Sequence, residues 1–168
     1  DPLTVSGTDR ITYAHPVFLS EEGRYYVFWR GPTWKPTFST SEDGVHWSEP
    51  RVLVQEPGRE AEDIRPYLKV TDNGRDQIHF TFTNGHPRNE PANSVYPVAY
   101  RAGGFFRADH TRVGAMEDLP LDIAACDRVF DGSGPAGRSW VWDIALDETG
   151  HPVIAYTRLP EETDHRHV

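Results

Sequence analysis

A single cysteine, Cys126, stands among the 168 residues. It rules out an intramolecular disulfide and leaves the redox compartment open. Apolar runs are short, and none reaches the length of a membrane-spanning helix. Basic residues are outnumbered: 17 Lys and Arg against 26 Asp and Glu leave a net charge of -9. Nucleic acid would call for a basic face, so that partner is excluded. An anionic glycan is not, because a few convergent arginines can dominate locally. Amphipathic helical periodicity is nearly missing, and only residues 116–125 could hold a short helical turn. There is also no initiating Met and no signal peptide, while a strand pattern is starting at the last residues. The chain therefore reads as a piece of a longer protein whose export signal lies elsewhere.

What the sequence does have is a repeated hairpin. An apolar run, an acidic turn closed by glycine and a second apolar or aromatic run recur over residues 15–30, 65–82 and 140–157, with Gly23, Gly74 and Gly150 in the turns. Further hairpins follow the first two, over residues 37–54 and 94–109. Two successive hairpins make a four-stranded unit of the size of a propeller blade. The expected fold is all-β, a β-propeller of four-stranded antiparallel blades with about three blades present. They form one partial domain, residues 1–168, with blades near 9–58, 59–113 and an incomplete 137–168. Three blades do not close a ring, and open edges invite association. Either the rest of a larger propeller or self-association has to complete it, the former being favoured.

Between the hairpins, Ser41-Glu42-Asp43-Gly44-Val45-His46-Trp47 combines a tight Asp-Gly turn, side-chain oxygens that cap backbone N–H groups and a tryptophan that plugs the blade. It resembles the Asp-box of bacterial neuraminidase (BNR) repeats, shortened by one residue. Residues 13–47, the segment Arg65-Pro66-Tyr67 through Asn84-Gly85-His86-Pro87-Arg88-Asn89, Phe106-Arg107-Ala108-Asp109 and Trp140-Val141-Trp142-Asp143-Ile144-Ala145 together resemble a BNR-repeat family of secreted bacterial propellers. That family includes polysaccharide lyases of the ulvan-lyase type. The resemblance implies an extracellular or periplasmic location.

Propeller geometry brings matched places of the repeat to one face. The starts of the inner strands contribute His15, Arg65, Trp142 and Asp143. The ends of the second strands and the loops after them contribute Arg30, Trp34, Lys35, Asn84, His86, Arg88, Asn89 and Arg158. Guanidinium forks suit carboxylate or sulfate, and indole faces suit sugar rings, so the expected partner is a polysaccharide or oligosaccharide. By resemblance to the lyases, His86 is the expected base, Arg65 or Arg88 neutralises a uronate carboxylate, and Tyr100 or His15 is the acid. No cofactor is implied, and a structural metal ion stays an open possibility.

Two other functions fit the same residues. A sialidase-like hydrolase could use Arg30, Arg65 and Arg158 as a triad, but needs a Tyr–Glu nucleophile pair that the sequence does not display. A non-catalytic glycan binder needs only the aromatic and arginine surface. Each candidate also has a structural alternative. His86-Pro87 could shape a loop, Arg65 could pair with Glu62 or Asp63, and His15 could be a bonded strand residue. Trp29 and Trp142 could be core, as could Cys126, and His79 could belong to its blade. Asp164, His165 and His167 read as a solvated terminus rather than metal ligands.

Overall fold

A computed structural model describes residues 12–31, 34–58, 65–160 and 166–168. These residues form an all-β array of antiparallel sheets, a partial β-propeller. The first blade contains β1 (Thr12–Leu19), β2 (Arg24–Arg30), β3 (Pro36–Ser41) and β4 (Arg51–Val52), hydrogen-bonded in that order. The second runs β6 (Leu68–Asp72), β7 (Gln77–Thr83), β8 (Val95–Arg101), β9 (Gly104–Phe106) and β10 (Arg112–Ala115). The third holds β12 (Arg138–Leu146), β13 (Pro152–Leu159) and the short β14 (Arg166–His167). Between the first two, β5 (Val54–Gln55) and β11 (Leu121–Asp122) pair in parallel.

Alternation of side chains assigns each strand face to a neighbour. On β7, Ile78, Phe80 and Phe82 are buried against Phe28, Phe38 and other residues of the first blade. The alternate residues His79, Thr81 and Thr83 point to the opposite face, toward β12, which lies against β6 and β7. Phe28 and Phe80 meet edge to face at 5.1 Å, a favourable aromatic geometry. Val141 and Ile144 of β12 are buried. Cys126 joins the core, where burial pushes its thiol up to about 12.

The hairpin turns form where acidic-glycine sequences occur, with Gly23, Gly74 and Gly150 all at positive φ, a conformation glycine adopts without steric cost. Residues 41–47 close through side chains. Ser41 Oγ accepts from the Gly44 N–H at 2.9 Å, and Asp43 Oδ1 accepts from the Val45 and His46 N–H groups at 2.8 Å each. These bonds, with the His46 imidazole contributing most, hold the Asp43 carboxyl well below the usual carboxylate range. Trp47 packs on Val27 and Trp29.

Two details depart from four-stranded blades. The second blade carries a fifth strand, because residues 107–111 reverse the chain. Arg107 N–H donates to the Thr111 carbonyl at 2.9 Å and Asp109 Oδ1 accepts from the Thr111 N–H at 2.9 Å, so β10 returns along β9. In the first blade the fourth strand is cut to Arg51–Val52, since the next residues leave to pair with β11. The one helical expectation resolves into two short 3-10 turns, Met116–Asp118 and Ile123–Ala125.

At the turn end of the first two blades, Tyr26 donates to Glu22 Oε2 at 2.5 Å, and its hydroxyl lies 3.0 Å from that of Tyr100. Burial, then the bond to Glu22, raises the Tyr26 phenol far above its ordinary value. The network pins the first hairpin turn to the second blade. Replacing Tyr26 by Phe should cost about 1–2 kcal/mol by urea denaturation, because Glu22 and Tyr100 both lose a partner. A change within error would show that water replaces the hydroxyl without loss.

Candidate functional site

The opposite end of the inner strands encloses a cavity of about 460 Å³ lined by His15, Arg30, Tyr67, Trp140, Trp142 and Asp143 among others. Arg30 ends β2, and its guanidinium carbon lies 5.0 Å from the ring of Tyr13, 4.6 Å from Trp34 and 5.9 Å from Tyr67. Tyr13 and Trp34 both have left-handed backbones, with φ of 60° and 61°. For bulky residues such conformations cost of order 1–3 kcal/mol each, so the surrounding structure must impose them. Tyr13 sits in an irregularity of β1 between Thr12 and His15. Both distortions place an aromatic ring on Arg30. Arg65 lies 4.7 Å from the same Trp34 ring, so a single indole associates with two guanidinium groups.

His86 is held over this cluster by the loop between β7 and β8. Its ring packs at 5.6 Å on Tyr67 and 5.1 Å on Trp140. The loop is anchored by Asn93, which is fully buried. Asn93 Oδ1 accepts from the Gly85 N–H at 2.9 Å, and Asn93 Nδ2 donates to the carbonyls of Gly85 at 3.0 Å and Ser139 at 2.7 Å. Ser139 answers with its N–H and hydroxyl, both to the Asn93 carbonyl. Gly85 has no room for a side chain, since a Cβ there would lie 2.6 Å from Glu90 Oε1.

The Arg88 N–H donates to His86 Nδ1 at 3.1 Å. A neutral imidazole with Nδ1 accepting carries its proton on Nε2. In that tautomer the second ring nitrogen of His86 is an N–H, a hydrogen-bond donor. Burial first, then the charges of Arg88, Arg65 and Arg30, lower its pKa. His15 is also lowered, by burial, with Asp72 and Asp143 opposing.

His15, Arg30, Trp34, Arg65, His86, Trp142 and Asp143 thus come together, with Arg88 close enough to act on His86. The exposed Asn89 only closes the loop turn, its N–H donating to the His86 carbonyl. Other expected residues lie elsewhere. Tyr100 is at the turn end of the blades, bonded to Tyr26 and Glu22 and buried. It is at the wrong end because the third strand of a blade finishes beside the hairpin turn. Lys35 is 1% exposed and lies in the interior rather than on the cavity wall. Asn84 is bonded within its own hairpin to the Ser94 N–H and Tyr96 hydroxyl. Arg158 leaves the cavity for the ring of Phe130, 5.9 Å away. Without Arg158 the arginine triad of a sialidase-like site is incomplete, and the Tyr26–Glu22 pair, with its tyrosine buried, lies at the far end. Trp29 is core, and His79 lies half-buried within its blade. Glu62, Asp63, Asp164 and His165 lie outside the described residues.

Tyr13, Tyr67, Trp140 and Asn93 were not anticipated as site residues. The alternation of Trp140 with Trp142 was a readable signal for one face. Asn93 offered none, because its partners are distant in sequence.

The chain belongs to the BNR repeat-containing family, whose pattern it matches over residues 3–168. No curated protein matches it. Among solved structures it is similar to a PL25 ulvan lyase, a polysaccharide lyase, with a TM-score of 0.69 and 17% identity over 94% of this chain and 41% of that one. It is similar also to such a lyase bound to -[GlcA(1-4)Rha3S]-, with a TM-score of 0.70 and 18% identity over the same shares. At these identities the likeness establishes the propeller fold. The chain spans 41% of the length of those lyases.

Replacing Asn93 by Ala strands several buried partners at once. It should cost about 3 kcal/mol of stability, measured by urea denaturation. A loss below about 1 kcal/mol would mean that the loop carrying His86 is held by other contacts.

Proposed function

We propose that this protein is part of a carbohydrate-active propeller that cleaves an anionic, uronate-containing polysaccharide by β-elimination. The observation that carries the reading is the pair of guanidinium groups, Arg30 and Arg65, stacked on Trp34 beside His86. Removing a proton next to a carboxylate requires that the carboxylate charge be offset, and two adjacent arginines supply that offset. In the scheme, neutral His15 takes the proton from C5 of the uronate. The electron pair becomes the C4–C5 double bond, and the C4–O bond breaks. The protonated His15 then returns the proton to the leaving oxygen. His86 Nε2–H donates a hydrogen bond to the substrate oxygen on which charge develops. A polymer of this kind is too large to cross a membrane, so the proposed location is extracellular or periplasmic.

The test is a panel of uronate-containing polysaccharides, including the GlcA–Rha3S polymer, followed by ultraviolet absorbance of the unsaturated sugar end. Cleavage with that signal supports the lyase. Retention without cleavage supports a binder, and released sialic acid would support a hydrolase. His86→Ala should lower turnover about a hundredfold to a thousandfold while leaving binding largely intact. Unchanged turnover would remove His86 from the mechanism.

The pH profile gives a separate check. Both histidines have lowered pKa values. His15 must be neutral to take the proton, and His86 must keep Nδ1 unprotonated to accept the Arg88 N–H. Accordingly, kcat/KM should fall as pH drops through values below 6.5, their ordinary pKa. Arg65→Met removes a cation that disfavours the His86 imidazolium, which raises the His86 pKa. The acid limb should therefore move to higher pH in that variant. A limb that stays in place would show that His86 does not govern the profile.

A further inference from the structure

We propose that Trp142 forms an outer sugar-binding subsite, so that the protein grips an internal stretch of a glycan chain and not only the residues at the bond to be broken. The proposal rests on the reading of the site as a glycan site and extends it along the third blade. Tyr67, His86 and Trp140 form a compact aromatic cluster beside the arginines. The row continues outward. Trp142 follows Trp140 on β12, its ring 6.3 Å away and tilted by only 19°. His167 lies 5.9 Å beyond it.

Three features distinguish this indole from an ordinary core residue. It is 55% exposed, whereas Trp29 is 2% exposed. It lines the same cavity as His15, Arg30 and Asp143, so it borders the site. Its edge is also fixed: Nε1 donates to Thr157 Oγ1, which bonds in turn to His167 Nδ1 at 3.0 Å. An exposed aromatic face with a satisfied, immobilised N–H loses little conformational entropy on binding. Such a face recognises the apolar C–H side of a sugar ring and makes no demand on its charge. The arginines therefore select the uronate, and Trp142 holds a neighbouring residue of the chain whatever its charge.

This division of roles predicts a dependence on chain length. The GlcA–Rha3S polymer and its disaccharide repeat are the two probes, compared by affinity electrophoresis or calorimetry so that no turnover is needed. Trp142→Ala should weaken polymer binding about tenfold, the loss of one stacking contact, and change disaccharide binding less than about twofold. Trp142→Phe, which keeps a ring but not the N–H, should recover much of the polymer affinity. Far-ultraviolet circular dichroism and the urea midpoint check that each variant is folded. Equal losses on polymer and disaccharide, or unchanged affinity for both, would overturn the outer subsite and leave the main reading standing. A wild-type chain that retains neither probe nor any other uronate polymer would overturn both.

Discussion

A sheet with two apolar faces is stable only when both are covered, and that requirement shapes this molecule. On β2 the run Tyr26–Trp29 is buried throughout, as is Phe80–Thr83 on β7. Continuous burial of this kind is expected of strands enclosed on both sides. The first two blades meet through Phe28, Phe80 and their neighbours, and β12 lies on the remaining face of the second. Packing blade against blade brings the inner strands together, and with them the residues at one end of each. His15, Tyr67 and Trp142 lie far apart in sequence, yet they share one cavity because of that packing. The site is a consequence of how the core is covered.

Within that cavity the means of holding Arg30 matters as much as its position. A carboxylate partner would orient a guanidinium but cancel its charge. Aromatic rings orient it while leaving the charge available. A cation over a ring gains about 0.5–2 kcal/mol, comparable with the cost of a left-handed tyrosine or tryptophan. The distortions at Tyr13 and Trp34 are therefore of a size that the contacts with Arg30 can offset. Thr12 Oγ1 accepts from Arg30 Nε at 3.2 Å, fixing one edge of the fork. The result is a pre-oriented cation, which is what an electrostatic role in binding or catalysis demands.

The hairpins were legible because glycine turns and alternating apolar residues are local signals. The convergence of Arg30, Arg65, His86 and Trp142 was legible from the repeat alone, since matched places in successive blades meet. What failed was assignment by residue type where register decides. One step along a strand reverses the face of a side chain, and Lys35, just before β3, turns inward. Tyr100 has suitable chemistry but stands at the other end of its strand. The tautomer of His86 depends on a backbone N–H two residues away, and the hold on its loop depends on Asn93 meeting Ser139 in another blade. Neither contact leaves a mark in the sequence.

The same local chemistry explains how an acidic protein carries a cationic site. Turns recruit Asp and Glu because carboxylates accept backbone N–H groups. Asp72 accepts from Gly74, and Asp147 from Thr149 and His151. Adjacent hairpin turns lie side by side, with the Glu21 N–H donating to the Arg75 carbonyl at 2.9 Å. These carboxylates therefore collect at one end of the blades. A strand such as β7, with 7 residues, separates that end from Arg30 and His86 by roughly 20 Å. That exceeds the Debye length of about 8 Å at physiological ionic strength. The acidic turns consequently add to the net charge of -9 while exerting little field at Arg30 and His86; only His15, which Asp72 reaches, feels one of them among the cavity histidines. The local charges prevail there, and they include the Arg30, Arg65 and Arg88 cations that lower the His86 pKa. Net charge in this fold reports the chemistry of its turns, and the character of the site is set separately, at the opposite ends of the same strands.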